Sequence, residues 1–285
     1  MEITTVGDFT LGWGEGLRWD ERRQRLWFVD CAAQTIHWLD GGDPGGDDVD
    51  LHTMQLPSMA SCAILADDER LVAVLDDGLA VVDPDAGSVE PLAPYPEALG
   101  GRANDACADF AGNVITGKMN LEPAEGSTWR FSVRDGWTLL DPDITNTNGP
   151  ALIHVDGVET LVIGDTSAVY WAAPYDSATG KTGERRVFGD TEPLEGRPDG
   201  STVDAENGLW CALVGGGQVV RFTSEGLDRQ VPVPAVHVTD VAFGGPDLDR
   251  LYVASVAGEG ELAGRLLRID GLGVRGRAEP RVALG

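Results

Sequence analysis

The stretch LADDERLVAVLDDGLAVVDPDAG, residues 65–87, alternates acidic turns with short apolar runs. A turn through Asp67–Arg70 leads into a strand opening at Leu71, and a second turn at Asp76–Gly78 leads into a strand ending at Asp83. Five other segments have the same content: WDERRQRLWFVD (19–30), ADFAGNVITGKMN (108–120), HVDGVETLVIGDTSAVYWAAPYD (154–176), VDAENGLWCALVGGGQVVRFTSEG (203–226) and GGPDLDRLYVASVAG (244–258). Aligned on the first core residue of the strand, the anchors are Leu26, Leu71, Val114, Leu161, Leu209 and Leu251, at steps of 45, 43, 47, 48 and 42 residues. A period of about 45 residues built from strand, turn and strand marks the blades of a β-propeller. One such sheet cannot bury both faces alone, so blades stack radially around a channel. The expected fold is therefore all-β, a six-bladed β-propeller forming a single domain over 1–285. The amino-terminal EITTVGDF and the carboxy-terminal EPRVAL are expected to share one blade and close the ring, which removes the open edges. Residues 170–198, the longest irregular stretch, are expected to hold a loop over one face.

Composition narrows the function. Of 285 residues 42% are hydrophobic, enough for a sizeable core, and 38 glycines supply turn pairs such as DG, GG and NG. With 21 Lys and Arg against 47 Asp and Glu the net charge is −26. Such a surface repels phosphate backbones and anionic lipid, so neither nucleic acid nor membrane is expected as a partner. It suits a salt-rich cytoplasm or metal cations without selecting either. No apolar run approaches the roughly 18 residues of a membrane span. The start, MEITTVGDFTLG, has no basic segment and no long apolar run, so a cytoplasmic protein with no obligate protein partner is expected. Cys31, Cys62, Cys107 and Cys211 lack C-x-x-C spacing and read as buried reduced thiols. His37 and His154 sit in strand-like surroundings and read as packing residues. No nucleophile elbow, Walker loop or dinucleotide fingerprint occurs in its required context.

In LGWGEGLRWD, residues 11–20, one carboxylate, Glu15, stands between two glycines. Alone it reads as a solvated loop residue. Its phase in the repeat changes that. Glu15 lies 11 residues before Leu26, Asn104 10 before Val114, Asn148 13 before Leu161 and Asp199 10 before Leu209. The two remaining repeats hold Ser58, at 13, and Thr239, at 12. The innermost strand of each blade lines the channel, so residues of one phase meet at one mouth. Glu15, Asn104, Asn148 and Asp199 are thus expected to form a ring of oxygen ligands. Carboxylate and amide oxygens without cysteine or histidine are a hard donor set, suited to Ca²⁺, Mg²⁺ or Mn²⁺. Two carboxylates in a dehydrated funnel also need a cation or a proton between them. Such a cation, with positions left open for water and a substrate oxygen, meets the needs of hydrolysis.

The segments GEGLRWDERRQRLWFVD, RANDACADFAGN, TNGPALI, RPDGSTVDAENGLW and VTDVAFGGPDLDRLYVAS closely resemble the senescence-marker-protein/gluconolactonase (regucalcin-like) family, in order and over nearly the whole chain. The resemblance implies a six-bladed propeller that opens sugar lactones with a divalent metal ion, Ca²⁺ foremost, with Mg²⁺, Mn²⁺, Zn²⁺ and Fe²⁺ as alternatives. It implies that Glu15, Asn148 and Asp199 hold the metal and that Asn104 lies beside it and contacts substrate. It further implies that Arg102 and Glu122 are substrate-contacting positions. The chain departs from the family pattern at TGKM, which puts Lys118 near the mouth, at Ala103 and at Trp13. These departures alter substrate contacts and leave the metal set intact. Asp199 is the first candidate for the base that takes a proton from the attacking water. Lys118 is either a specificity contact or a surface lysine snorkelling from a strand end. The expected function is a lactonase acting on an aldonolactone. The alternatives are a metal-dependent aryl-ester or organophosphate hydrolase on the same propeller, and a non-catalytic calcium-binding protein.

Overall fold

A computed structural model describes residues 1–41, 45–46, 49–118 and 126–285 and shows six antiparallel sheets. Their inner strands are Gly14–Asp20, Ala60–Leu65, Ala103–Ala108, Thr147–Val155, Arg197–Val203 and Val238–Gly244, which define blades I to VI in that order. Each inner strand contacts the inner strands of both neighbouring blades, so the sheets form a ring around one channel. The ring is the six-bladed propeller that the repeat implies.

Period-two alternation explains why the blades stack. In blade I, Leu26 and Phe28 belong to a core shared with blade VI, while Trp27 and Val29 belong to a core shared with blade II. The other cores repeat the arrangement, each lying between two adjacent blades. Among the described residues no blade has a core of its own. Cys31, Cys62 and Cys211 are buried, Cys107 is half-buried, and all four are free thiols. His37 is buried and bonded to Thr35 and Thr53, whereas His154 is exposed and stacks on Phe110. Among the described residues no helix is long and apolar enough to cross a membrane.

The ring closes by a different route from the one expected. Glu2–Thr5 pairs antiparallel with Leu267–Asp270 and forms the outer strand of blade VI. EPRVAL does not join that sheet. Val282 makes a parallel bridge to Ala66, its N–H donating to Leu65 O at 2.8 Å, and Ala283 N donates to Gly112 O at 2.9 Å. Pro280 offers no N–H to a ladder. The flanking charges find partners elsewhere: Arg281 lies 2.6 Å from Asp20 and Glu279 3.1 Å from Arg18. The tail therefore crosses the end of the channel where the inner strands finish. Residues 170–198 also differ from expectation, being mainly strand: Val169–Asp176, Lys181–Thr182 and Arg186–Asp190 build the outer half of blade IV.

Buried aspartates fasten the hairpins at that same end. Asp204, fully buried, accepts from Glu206 N and Gly208 N at 2.9 and 2.8 Å, and from Trp210 Nε1 and Arg221 Nε at 2.8 and 2.7 Å. Burial raises its pKa, but the bonds from Arg221, Trp210 and Gly208 outweigh that and hold the carboxyl below its ordinary value. A depressed folded-state pKa contributes stability above the unfolded value that is lost as pH falls through the folded one. Asp204→Ala should thus cost about 3 kcal/mol at neutral pH by leaving Arg221 Nε, Trp210 Nε1 and two backbone N–H groups without their buried acceptor, Arg221 keeping only its more exposed partners Glu206 and Asp228. In urea titrations the gap from the parent should shrink as pH drops below the ordinary aspartate range. Asp135→Ala, at an exposed pair with Arg134, should leave stability essentially unchanged. A loss at Asp204 no larger than at Asp135 would remove the node from the account.

Candidate active site

Every inner strand slips register near its start. The shifts fall between Glu15 and Arg18, Ala60 and Cys62, Ala103 and Ala106, Asn148 and Ala151, Pro198 and Ser201, and Val238 and Asp240. A bulge re-aims the side chains on its strand, and six at one level turn their polar residues toward the axis. This explains the glycine after Glu15. Gly16 has φ +59°, and a Cβ there would sit 2.8 Å from Cys62 Cα of the next blade.

Glu15, Asn104 and Asp199 line one pocket, together with Asp105, Ser61 and Cys31, with Trp13 and Arg102 at its wall. Asn148 adjoins it: Asn104 Nδ2 donates to Asn148 Oδ1, and Asn148 Nδ2 donates to Pro198 O at 2.9 Å. Trp13 Nε1 donates to Glu15 Oε1 at 3.1 Å, and the Arg102 guanidinium lies 5.9 Å from the Trp13 ring centroid. Asp30, itself buried, fixes that corner by accepting from Gly12 N at 2.7 Å and Trp13 N at 3.1 Å.

Three further positions named from the sequence are Ser58, Lys118 and Glu122. Ser58 does not line the pocket; the bulge of blade II presents Ser61, which donates to Asn104 O at 2.7 Å. The register slip was not visible in residue counts, which placed Ser58 by spacing alone. Lys118 pairs with Ala103 at the rim, with its amine beside Gly100, and is not among the residues lining the pocket. Glu122 lies outside the described residues.

Sequence reasoning missed the residues one step deeper. Asp105 and Asp240 follow the phase positions of blades III and VI, and both are buried. Asp240 Oδ2 accepts from Leu17 N at 2.7 Å, and Asp105 Oδ2 accepts from Gly149 N at 2.8 Å. The signal was present as a carboxylate directly after the phase residue in Asn104–Asp105 and Thr239–Asp240. Thr239 instead donates to Gly14 O across the blade boundary.

The electrostatics follow from this crowding. Burial raises the pKa of Glu15, and Asp199, Asp240 and Asp105 raise it further, against a small opposing bond from Trp13. Burial, then Asp105 and Asp240, raises that of Asp199. Burial also raises Asp240, with Arg18 opposing and Asp105 adding to the shift. Among the described residues no three carboxylate, imidazole or thiol groups stand at metal-holding spacing. The converging set mixes carboxylates with amides, and its hard oxygens and same-sign repulsion fit a divalent cation.

The model of the SMP-30/Gluconolactonase/LRE-like region matches residues 13–257. The chain is 33% identical to the pentonolactonase XacC of Haloferax volcanii, over 99% of this chain and 98% of that one. It is 32% identical to regucalcin of Xenopus laevis, over 98% and 97%. A crystal structure described as a calcium-binding protein, regucalcin, from Agrobacterium tumefaciens superposes with a TM-score of 0.87 at 28% identity, covering 99% of this chain and 97% of that one. The matched region opens two residues before Glu15 and ends beyond the last inner strand, so it holds all six bulges. The chain belongs to the SMP-30/gluconolactonase/LRE-like family.

Proposed function

We propose that the protein is a metal-dependent hydrolase that opens a sugar lactone to its sugar acid at the Glu15–Asp199 mouth. The observation that carries this reading is the convergence of two half-buried carboxylates, each raised by desolvation and then by the other acids around it, beside an amide and a guanidinium. The names of the relatives, a pentonolactonase among them, support the substrate class. Glu15, Asn148 and Asp199 would hold the cation, with Asn104 beside it and Ca²⁺ as the first candidate. When bound, the cation supplies Lewis-acid polarisation of the lactone carbonyl and stabilises the charge that develops there.

The chain's own residues supply the rest. Asp199 Oδ accepts a proton from the attacking water, serving as base as well as ligand. Arg102 donates to the hydroxyl groups of the substrate, and Asn104, whose Nδ2 is taken by Thr147 O and Asn148 Oδ1, accepts from one through its Oδ1; together they orient the ring. Trp13 fixes the Glu15 carboxylate through its indole N–H and backs Arg102 with its ring. This polar wall favours a polyol over an aryl group. Lys118 at the rim favours lactones that carry a carboxylate or phosphate.

A panel of lactones followed by pH drop, with chelator-stripped protein reloaded with several divalent ions, tests the whole reading. Activity is expected only after reloading. A full rate in protein verified to be metal-free would overturn it.

Two substitutions separate the roles. Asn148→Ala should weaken cation affinity yet recover most of its rate at saturating metal. Asp199→Asn, which keeps shape and an oxygen but cannot take a proton, should stay low in kcat by about 10²-fold at saturating metal. Full recovery of Asp199→Asn would remove the base assignment and leave the lactonase reading standing. Lys118→Thr should lower kcat/KM for anionic lactones by about tenfold, the scale of one charge-assisted contact, and leave neutral ones unchanged. An equal effect on both would take Lys118 out of the specificity account.

A further inference from the structure

Below the mouth lies a cluster that the proposed chemistry does not use. Arg18, 3% exposed, sits between three carboxylates from three separate parts of the chain. Its Nη1 is 3.5 Å from Asp240, its Nη2 3.6 Å from Asp105, and its Nε 3.1 Å from Glu279 of the C-terminal tail. Nη1 also donates to Leu17 O and Nη2 to Ala106 O, each at 2.6 Å. Burial works against the guanidinium charge, but Glu279, Asp240 and Asp105 more than offset it.

The two aspartates tie this cluster to the mouth. Asp240 holds Leu17 N, two residues past Glu15, and Asp105 holds Gly149 N, next to Asn148. Arg18 therefore pulls on the backbone of two bulges at once, and Glu279 reaches it from the tail that crosses the far end of the channel. Only a quarter of the Glu279 side chain is open to solvent, so its charge acts in a poorly screened channel.

We infer that Glu279 is a positioning residue for the mouth: by drawing the charge of Arg18 toward the tail, it sets the affinity of the site for its cation. The inference rests on the metal-dependent reading above. With Glu279 neutral, only Asp105 and Asp240 of the three carboxylates oppose the Arg18 charge, more of it reaches the mouth, and a bound cation is repelled more strongly. The tail is then a working part of the site and not only a plug.

Calorimetric titration of metal-stripped, full-length protein with Ca²⁺ and with Mn²⁺ reads this directly, alongside Tm of each metal-free form. Glu279→Gln should bind about tenfold more weakly, the scale of one partly screened charge at channel distances, with little change in Tm. Glu279→Asp, which keeps the charge, should keep parental affinity. Arg18→Met combined with Glu279→Gln removes both charges and should return to within about threefold of the parent. Parental affinity in Glu279→Gln, or equal weakening in Glu279→Asp, overturns the inference. A double variant that folds and stays as weak as the single also overturns it. Where the parent binds and the Glu279 variants match it, this inference alone falls. A parent that binds neither cation brings down the metal reading and this inference together.

Discussion

Six strands that start at one axis leave little room there, and how that room is shared governs the molecule. Each inner strand bulges at the same level, so every blade sends extra backbone and a polar side chain into the channel. The space is divided by size. A Cβ on Gly200 would lie 2.1 Å from Asp240 Oδ1, so the carboxylate of blade VI occupies what a side chain in blade V would fill. Hydroxyls then bind carbonyls of the adjoining blade: Ser61 to Asn104, Ser201 to Gly149 and Thr239 to Gly14. The bulges are thus mutually braced. The cores between blades, each built by two neighbours, depend on the same radial arrangement.

This constraint explains what could be read in the sequence and what could not. The blade count was legible because each strand must alternate apolar residues toward two neighbours, which imprints a period on the chain. The mouth was legible for Glu15, Asn104 and Asp199 because each stands next to glycine or at the start of an inner strand, at one phase of that period. Ser58 was misplaced because a register slip moves the partner by a residue or more without changing composition, and Ser61 takes the position. Asp105 and Asp240 were passed over because each follows a residue that already accounted for its phase. Ring closure was half legible. Glu2–Thr5 closes blade VI as a terminal strand should, but the partner is Leu267–Asp270, because EPRVAL carries a proline and two charges whose partners lie at the channel end.

The disposition of charge separates scaffold from site. The chain has far fewer cations than acids, and several of its arginines are spent on the aspartates at the hairpin end: Arg281 on Asp20, Arg130 on Asp109, Arg221 on Asp204. There each buried carboxylate has a cation and backbone donors, so it fastens a turn without wanting anything further. At the mouth the largest charges acting on Glu15 and Asp199 are of their own sign. Uncompensated carboxylates in a low-dielectric pocket are costly to keep, and proteins retain such groups chiefly where a ligand relieves them. Arg18 stands between these two regimes. It pairs with the deeper acids, Asp105 and Asp240, one positive charge against two, and lies below Glu15 and Asp199. A cation further up the channel would compete with the ligand the mouth is proposed to take, and one further down would leave two more buried acids to protonate. The depth of the Arg18 guanidinium therefore offsets part of the charge lower in the channel and leaves the mouth acidic, with Arg102 as the basic side chain at its wall that is proposed to donate to a ligand.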